Sequence, residues 1–342
     1  VAADRGIAQE NHTMKSVTKM AWLAGLAAMI FIGHSYSQSA TKTKTANSKP
    51  AATTQAAAPA KSTGKKAISR NPYVGAIVLD AATGKVLFED NADTRAYPAS
   101  TLKLMDLLII LEKIEQRQLT LQDQVPVSAK ASKVGGSQVW LAEKESFTLD
   151  EMLYALMIQS ANDVAVAVAE KVAGTTDAFT ELMNKRAREL GMTSTTFHSV
   201  HGLPPSAGQE HDVTTARDFS RLCFELLKHP DALRYTSTRE RPFRPNAGSK
   251  TVVMRNHNHL LGALEGCDGL KTGYIAEAGY SIAVTASRNG RRVIAIVMGS
   301  ADRKVRDAKA SELVAKGFAA LPPLPATPPP AAVAPTPAQP RK

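Results

Sequence analysis

Apolar and polar positions along the chain change rhythm several times, and each rhythm marks an element. Tyr73–Asp80 (Y-V-G-A-I-V-L-D) and Lys85–Glu89 are apolar and β-branched, and Ala81–Gly84 between them supplies turn residues, which predicts a hairpin. From Ala99 the pattern lengthens into an oily helix, L-K-L-M-D-L-L-I-I-L, opening at Ser100. Thr148 followed by Glu151 reads as a capping box, and Leu149–Ile158 continues it as a strongly apolar helix. A second helix is expected over Asp163–Ala173, stopping at Gly174, and a third over Phe179–Leu190, ended by Gly191. Strand patterning returns at Gly269–Gly273, Tyr280–Ser287 and Arg292–Met298, the last two joined by an Asn289-Gly290 turn. An amphipathic helix fills Arg303–Phe318.

Strands, then helices, then strands and a helix predict an α+β sandwich within the broad α/β class. Its antiparallel sheet of about five strands is built from both ends of the chain, flanked by helices, with a helical subdomain inserted. A groove between sheet edge and helical part is where chemistry would sit.

Outside this body the pattern changes character. Val1–Thr13 precedes a methionine and carries no apolar run, so Met14 is expected as the first residue. Lys15 and Lys19, the apolar stretch Met20–Gly33 and the small residues Ser35–Ser37 read as a signal peptide within residues 1–37. An uncleaved membrane anchor is disfavoured because the run is shorter than a span needs. Gln38–Arg70 is Ala, Thr, Lys, Ser and Pro without an aromatic or an acid, so it is expected as a flexible linker, leaving residues 71–321 as the folded domain. Pro322–Pro340 begins a proline-rich tail that runs to Lys342.

Charge and cysteines refine the picture. Lys42, Lys44, Lys49, Lys61, Lys65, Lys66 and Arg70 carry most of the formal net charge of +11, so basicity belongs largely to the linker. That segment could hold the protein weakly near a membrane or wall polymer, or serve only as a solvated spacer. Nucleic acid is a poor partner for an exported, periplasmic chain. In that compartment Cys223 and Cys267 could form a disulfide, and buried free thiols are equally ordinary.

Candidate chemistry begins with Ser100 and Lys103. S-x-x-K also occurs at Ser16, Ser39 and Ser62, so the pattern proves nothing alone. Only Ser100 opens a long apolar helix, where residues three apart share a face. A desolvated lysine loses its charge more readily and can take the proton of a serine nucleophile. The free backbone N–H at a helix start can in turn stabilise an oxyanion. A capping serine with a snorkelling lysine remains the alternative. Of three S-x-N strings, only Ser160-Ala161-Asn162 interrupts two buried helices, where polar side chains are costly unless used. Lys271-Thr272-Gly273 lies in a strand-like run, its glycine permitting a ligand to approach the backbone.

The ordered trio S-x-x-K, S-x-N, K-T-G resembles the signature of penicillin-binding proteins and serine β-lactamases. R-A-Y-P-A-S-T-L-K, G-G-S-Q-V-W-L (Gly135–Leu141), S-A-N-D-V-A, L-G-M-T-S-T-T-F, H-G-L, D-G-L-K-T-G-Y and V-I-A-I-V-M-G narrow the likeness to the low-molecular-mass D-alanyl-D-alanine endopeptidase and carboxypeptidase group, with its β-lactamase/transpeptidase-like fold. The resemblance implies that Ser100 attacks a D-Ala peptide carbonyl with Lys103 as base. Ser160 would relay the proton to the leaving amine, and Asn162 would hold the substrate amide and orient Lys103. Lys271 would supply positive potential, and Thr272 would bind the substrate carboxylate. Beside Gly273, the N–H groups of Ser100 and Tyr274 would form an oxyanion hole. Arg306 matches the group's carboxylate-binding arginine, with Arg303 near enough to compete. No cofactor or metal is implied. Peptidoglycan is the implied partner and β-lactam antibiotics the implied covalent inhibitors.

Within the group, passage from the last helix straight into the proline tail favours a D,D-endopeptidase over a carboxypeptidase. A β-lactamase would need a carboxylate to activate water, and the nearest E-x-x-N string, Glu181–Asn184, is expected at a helix surface. A zinc peptidase would draw on His257, His259, His201 and Asp212 without a tight motif. A non-catalytic wall-binding protein should have lost Ser100, Lys103 or Lys271, and all three are present.

Overall fold

Strands form where the two ends of the sequence are β-branched and close on tight turns. The computed structural model describes residues 67–245 and 247–323. β1 (Gly75–Asp80) and β2 (Val86–Asp90) make the first hairpin. A short 3-10 turn, Ala99–Leu102, then leads into α1 (Lys103–Glu115). The small β3 (Gln124–Pro126) and β4 (Ser146–Thr148) pair with each other ahead of α2 (Leu149–Tyr154). After one π-helical turn at Ala155–Gln159 come α3 (Asn162–Ala173), α4 (Thr176–Glu189), α5 (Ala216–Leu226) and α6 (Asp231–Thr236). β5 (Glu240–Phe243) and β6 (Val252–Arg255) form a second small sheet. The chain closes with β7 (Cys267–Ile275), β8 (Gly279–Arg288), β9 (Arg291–Ser300) and α7 (Arg303–Ala320).

The main sheet runs β2-β1-β9-β8-β7 with every pair antiparallel, so the first hairpin docks on the last strand, Gly75 opposite Met298. Each face is covered. Ala76, Val78, Val284, Val293 and Val297 pack with Leu313 and Val314 of α7, while Ile77, Leu79, Ala283, Ile294 and Ile296 face the helical part. β8 and β9 therefore read as almost unbroken apolar runs. Within the helical part α1 is buried on all sides from Lys103 to Leu111, which explains why its sequence shows no clean polar face. β7 is an edge strand, and its outer side runs along the turn that carries Ser100.

Several details depart from the sequence reading. Ser100 lies in the 3-10 turn before α1 rather than on the helix. The helix expected over Leu149–Ile158 gives way to the π-turn after Tyr154. α4 starts early because Thr175 caps it, its hydroxyl accepting from Ala178 N–H. α5, α6 and both small sheets were not anticipated, although Thr215 caps α5 by accepting from Asp218 N–H. Ile68 and Arg70, read as linker, hydrogen-bond to Glu277 and Gly299 carbonyls along the sheet. Cys223 and Cys267 are free thiols, Cys223 fully buried. Among the described residues no helix is long and apolar enough to cross a membrane. The expected signal peptide, most of the linker and the proline tail lie outside the described residues.

Candidate active site

Two walls meet at Ser100. On the helical wall, Lys103 is wholly buried in the first turn of α1, and its Nζ lies 3.1 Å from Ser100 Oγ. Nζ also donates to Asn162 Oδ1 and to the His201 carbonyl, both at 2.8 Å. Ser100 makes no capping hydrogen bond to either the turn or the helix, and Lys103 does not reach solvent, so the capping-and-snorkelling alternative fails. Burial lowers the Lys103 pKa to about 7, against the opposing pull of Asp106, Asp212 and Asp163. As an ammonium, Lys103 donates its third proton to Ser100. As a neutral amine, it keeps two N–H groups on the carbonyl acceptors and turns its lone pair to the serine hydroxyl.

Asn162 is held as firmly as the lysine it serves. Its Nδ2 donates to the Gly135 carbonyl at 2.8 Å, and its backbone N–H donates to the Ser137 carbonyl at 2.7 Å. A Cβ at Gly136, whose φ is +77°, would fall 2.6 Å from that Nδ2, so the G-G pair lets this loop close on the amide. Ser160 follows the π-turn in left-handed conformation, φ 58°. Its buried Oγ has no hydrogen-bond partner among the described residues. Such an orphan costs about 1–3 kcal/mol, and a left-handed non-glycine residue adds a similar order of strain. The geometry places Ser160 beside Asn162 without a direct hydrogen bond to Lys103.

The His201 carbonyl arrives on a loop built by Asp212. Asp212 Oδ1 accepts the N–H groups of His198 (2.7 Å) and Ser199 (2.9 Å), and Oδ2 accepts the Ser199 hydroxyl (2.7 Å). Ser199 Oγ in turn accepts Gly202 N–H at 2.9 Å. A Cβ at Gly202 would stand 2.2 Å from the carbonyl oxygen of Ala99, the residue before Ser100. Ala99 itself has φ 47°, so the approach to the serine is strained and wedged. The His201 ring accepts Leu203 N–H on Nδ1, and burial together with Lys103 and Lys130 lowers its pKa to about 4, which keeps it neutral.

On the sheet wall, β7 carries Lys271, Thr272, Gly273 and Tyr274 past the Ser100 turn. A Cβ at Gly273 would meet Pro98 O at 2.7 Å and Ser100 N at 3.0 Å. The glycine thus admits the close passage of the protein's own Ser100 turn beside the strand. Strand and turn backbones here run side by side, the arrangement that an oxyanion cradle from the Ser100 and Tyr274 N–H groups requires. Tyr274 is 52 % exposed and stacks on Tyr280 across the pair at 4.2 Å. Lys271 is buried, and its Nζ donates to the Thr272 carbonyl at 3.1 Å. Burial first, then Lys103 and Arg306, hold its pKa well below the ordinary lysine value. Arg306 is buried on α7, donating to Asp307 Oδ1 and the Ser281 carbonyl, whereas Arg303 is exposed. Of the two arginines, only Arg306 belongs to this field.

Other candidates separate from the site. Asn184 is half-buried, its amide clasping the Phe197 backbone at both N–H and C=O, while Glu181 is exposed. His257, His259, His201 and Asp212 do not gather as metal ligands. Among the described residues the one group close enough to hold a metal is Glu112, Glu225 and His229, and Arg186 already bridges its two carboxylates. Asp106, one turn beyond Lys103, is buried with both oxygens lacking a partner among the described residues, and burial raises its pKa well above the carboxylate range. Sequence reasoning missed the His201 carbonyl, the bracing role of Asp212 and Asp106. The glycine of H-G-L was the signal available for the first.

Residues 61–302 match the family described as Peptidase_S11, D-alanyl-D-alanine carboxypeptidase. The D-alanyl-D-alanine carboxypeptidase DacF of Bacillus subtilis is 36% identical over 243 residues, 71% of this chain. The chain spans 61% of that relative's length. A D-alanyl-D-alanine carboxypeptidase of Streptomyces sp. (strain K15) is 29% identical over 79% of this chain and 94% of its own length. Among solved structures, penicillin-binding protein D2 of Listeria monocytogenes in its ampicillin-bound form superposes with a TM-score of 0.64 at 31% identity, covering 72% of this chain and 97% of that one.

Proposed function

The chain belongs to the D-alanyl-D-alanine carboxypeptidase family of serine peptidases, and from that premise we propose that it removes the terminal D-alanine of peptidoglycan stem peptides through an acyl-enzyme on Ser100. The observation that carries this reading is the buried Lys103 amine, near-neutral in pKa and 3.1 Å from the Ser100 hydroxyl. Neutral Lys103 takes the Ser100 proton as Oγ attacks the penultimate D-Ala carbonyl. The N–H groups of Ser100 and Tyr274 receive the oxyanion. Collapse of the tetrahedral intermediate breaks the C–N bond, and the proton passes by way of Ser160 to the leaving D-alanine amine. Lys103 then draws a proton from water as it attacks the ester carbonyl and returns that proton to Ser100 Oγ as the ester C–O bond breaks. Asn162 orients both the amine and the substrate amide, while Lys271, Thr272 and Arg306 hold the terminal carboxylate.

A β-lactam enters the same sequence, and its ring-opened amine stays tethered to the ester. The ampicillin-bound Listeria relative supports penicillin binding here. The signal-peptide pattern within residues 1–37 supports an exported, periplasmic protein. The basic run Lys42–Arg70 supports weak attachment to anionic wall polymer or lipid.

The preference for an endopeptidase, drawn from the sequence, gives way to carboxypeptidase. It rested on the want of a second domain, yet the Streptomyces carboxypeptidase matches over 94% of its length. Purified muropeptides test this directly: pentapeptides should lose D-alanine, whereas conversion of cross-linked dimers to monomers would reinstate the endopeptidase. Labelled penicillin should attach to Ser100. Peptidase activity that survives Ser100→Ala and yields to a chelator would sink the serine mechanism.

A further inference from the structure

Trp140 is the most exposed large apolar residue of the described chain, at 64 %, yet its backbone is among the most firmly tied. Val139 and Leu141 N–H groups on either side donate to Asp163 Oδ2 at 3.2 and 3.0 Å. The Val139 and Trp140 carbonyls accept from Arg244 at 3.0 and 3.1 Å. Arg244 is itself paired with Glu145, braced on Phe147 and Phe243, and left with a buried Nε that has no partner among the described residues. Trp140 sits at φ 55° and Arg244 at φ 53°, conformations that L side chains adopt only under constraint. Core packing cannot explain an indole held in solvent by a strained backbone that is braced on both flanks. Presentation to a ligand can.

Beside the indole lies a groove of about 530 Å³, with Val253 (49 % exposed) on its far side and Glu145, Arg244, Lys250 and Thr251 among its lining. That size and mixture, an apolar platform with a few convergent polar groups, is the composition of a small-ligand subsite. We propose that Trp140 and this groove bind the sugar strand to which the stem peptide is attached. Arg244 and Glu145 neutralise each other, so among the described residues the groove's one unpaired cation is Lys250, and the groove does not select a strongly charged ligand. A pyranose ring offers a C–H face for the indole, with hydroxyl and acetamido groups for Thr251 and Lys250. The groove shares its supports with the candidate active site: Asp163, which braces Trp140, follows Asn162 on α3, and the loop carrying Trp140 also gives its Gly135 carbonyl to the Asn162 amide. Peptide in the cleft and sugar on Trp140 would then be read by one rigid turn.

This inference rests on the proposed peptidoglycan substrate, and its test separates the two. Trp140→Ala should lower kcat/KM on glycan-linked pentapeptide at least about tenfold more than on a soluble acyl-D-Ala-D-Ala peptide, and Trp140→Phe should recover most of the difference. In Ser100→Ala protein, the same substitution should weaken binding to glycan strands stripped of peptide by about the same factor. Equal losses on both substrates would overturn the proposal, as would binding to bare strands that ignores Trp140. Trp140-dependent binding to phosphatidylglycerol vesicles in place of glycan would assign the patch to a membrane and also overturn it. Should the wild type release no D-alanine but still bind bare strands through Trp140, the catalytic reading fails and the glycan site stands.

Discussion

The two walls of the cleft treat their buried lysines in opposite ways. Lys103 on the helical wall is met on three sides, by Ser100 Oγ, Asn162 Oδ1 and the His201 carbonyl, and the Asn162 side chain and the His201 loop are held in turn by further hydrogen bonds. Lys271 on the sheet wall has the neighbouring Thr272 carbonyl, and the charges that dominate its surroundings are the like charges of Lys103 and Arg306. One wall is finished without substrate, and the other is left short of an anion. Under the proposed mechanism the contrast teaches a division of labour: proton transfer would be preorganised before substrate arrives, while carboxylate binding would complete an electrostatic balance that the fold leaves open.

The largest expected effect tests the finished wall. Lys103→Ala should slow penicillin acylation about 10²–10⁴-fold with Ser100 intact. Because only the neutral amine accepts the proton, the wild-type acylation rate should climb as pH rises through about 7 and level off above it, measured by stopped-flow labelling. A flat profile would mean that Lys103 is not the base.

Next comes the open wall. Lys271→Ala should reduce kcat/KM for substrates ending in a carboxylate far more than for their amides. A bound carboxylate favours the charged form, so the Lys271 pKa should rise on binding. Calorimetry of Ser100→Ala protein with acyl-D-Ala-D-Ala in two buffers at pH 8 should therefore report net proton uptake. Proton release would contradict the asymmetry.

Smaller effects probe what builds each wall. Gly202→Ala forces a Cβ toward Ala99 O in a left-handed backbone and should cost about 1–3 kcal/mol in denaturant unfolding, with slower acylation. Asp212→Ala orphans the His198 and Ser199 N–H groups and should cost a similar amount. Asp212→Asn keeps an acceptor at Oδ1 and should retain most of the stability. Equal losses in both Asp212 variants would place its role in charge rather than in loop geometry.

The sequence exposed most readily what depends on local patterning. The five-stranded sheet, the stop at Gly174 and the Asn289-Gly290 turn follow from β-branching and glycine placement, and all appear close to where they were expected. The Ser100, Asn162 and Lys271 strings were legible because they place polar side chains in otherwise apolar runs, and the structure brings Ser100, Lys103 and Asn162 together. What stayed hidden was contributed by backbone or by distant packing. A carbonyl such as that of His201 has no signature of its own, and Asp212 resembled a metal ligand until its oxygens were seen to hold main-chain N–H groups. α5 was overlooked although its Thr215 cap and amphipathic spacing were present.

The pairing of Gly75 with Met298 has a further consequence, concerning the order in which the protein is made. Ser100 emerges at the first crossing from sheet to helices and Lys271 at the return, so neither wall faces the other until β9 has docked against β1. A nascent or truncated chain lacking Arg291–Ser300 can assemble helices but cannot juxtapose nucleophile and carboxylate site. Such long-range closure is slow compared with local helix formation. The cleft between Ser100 and β7 is therefore completed late, after synthesis of nearly the whole body, and the proposed peptidase is inert while it is still a folding intermediate.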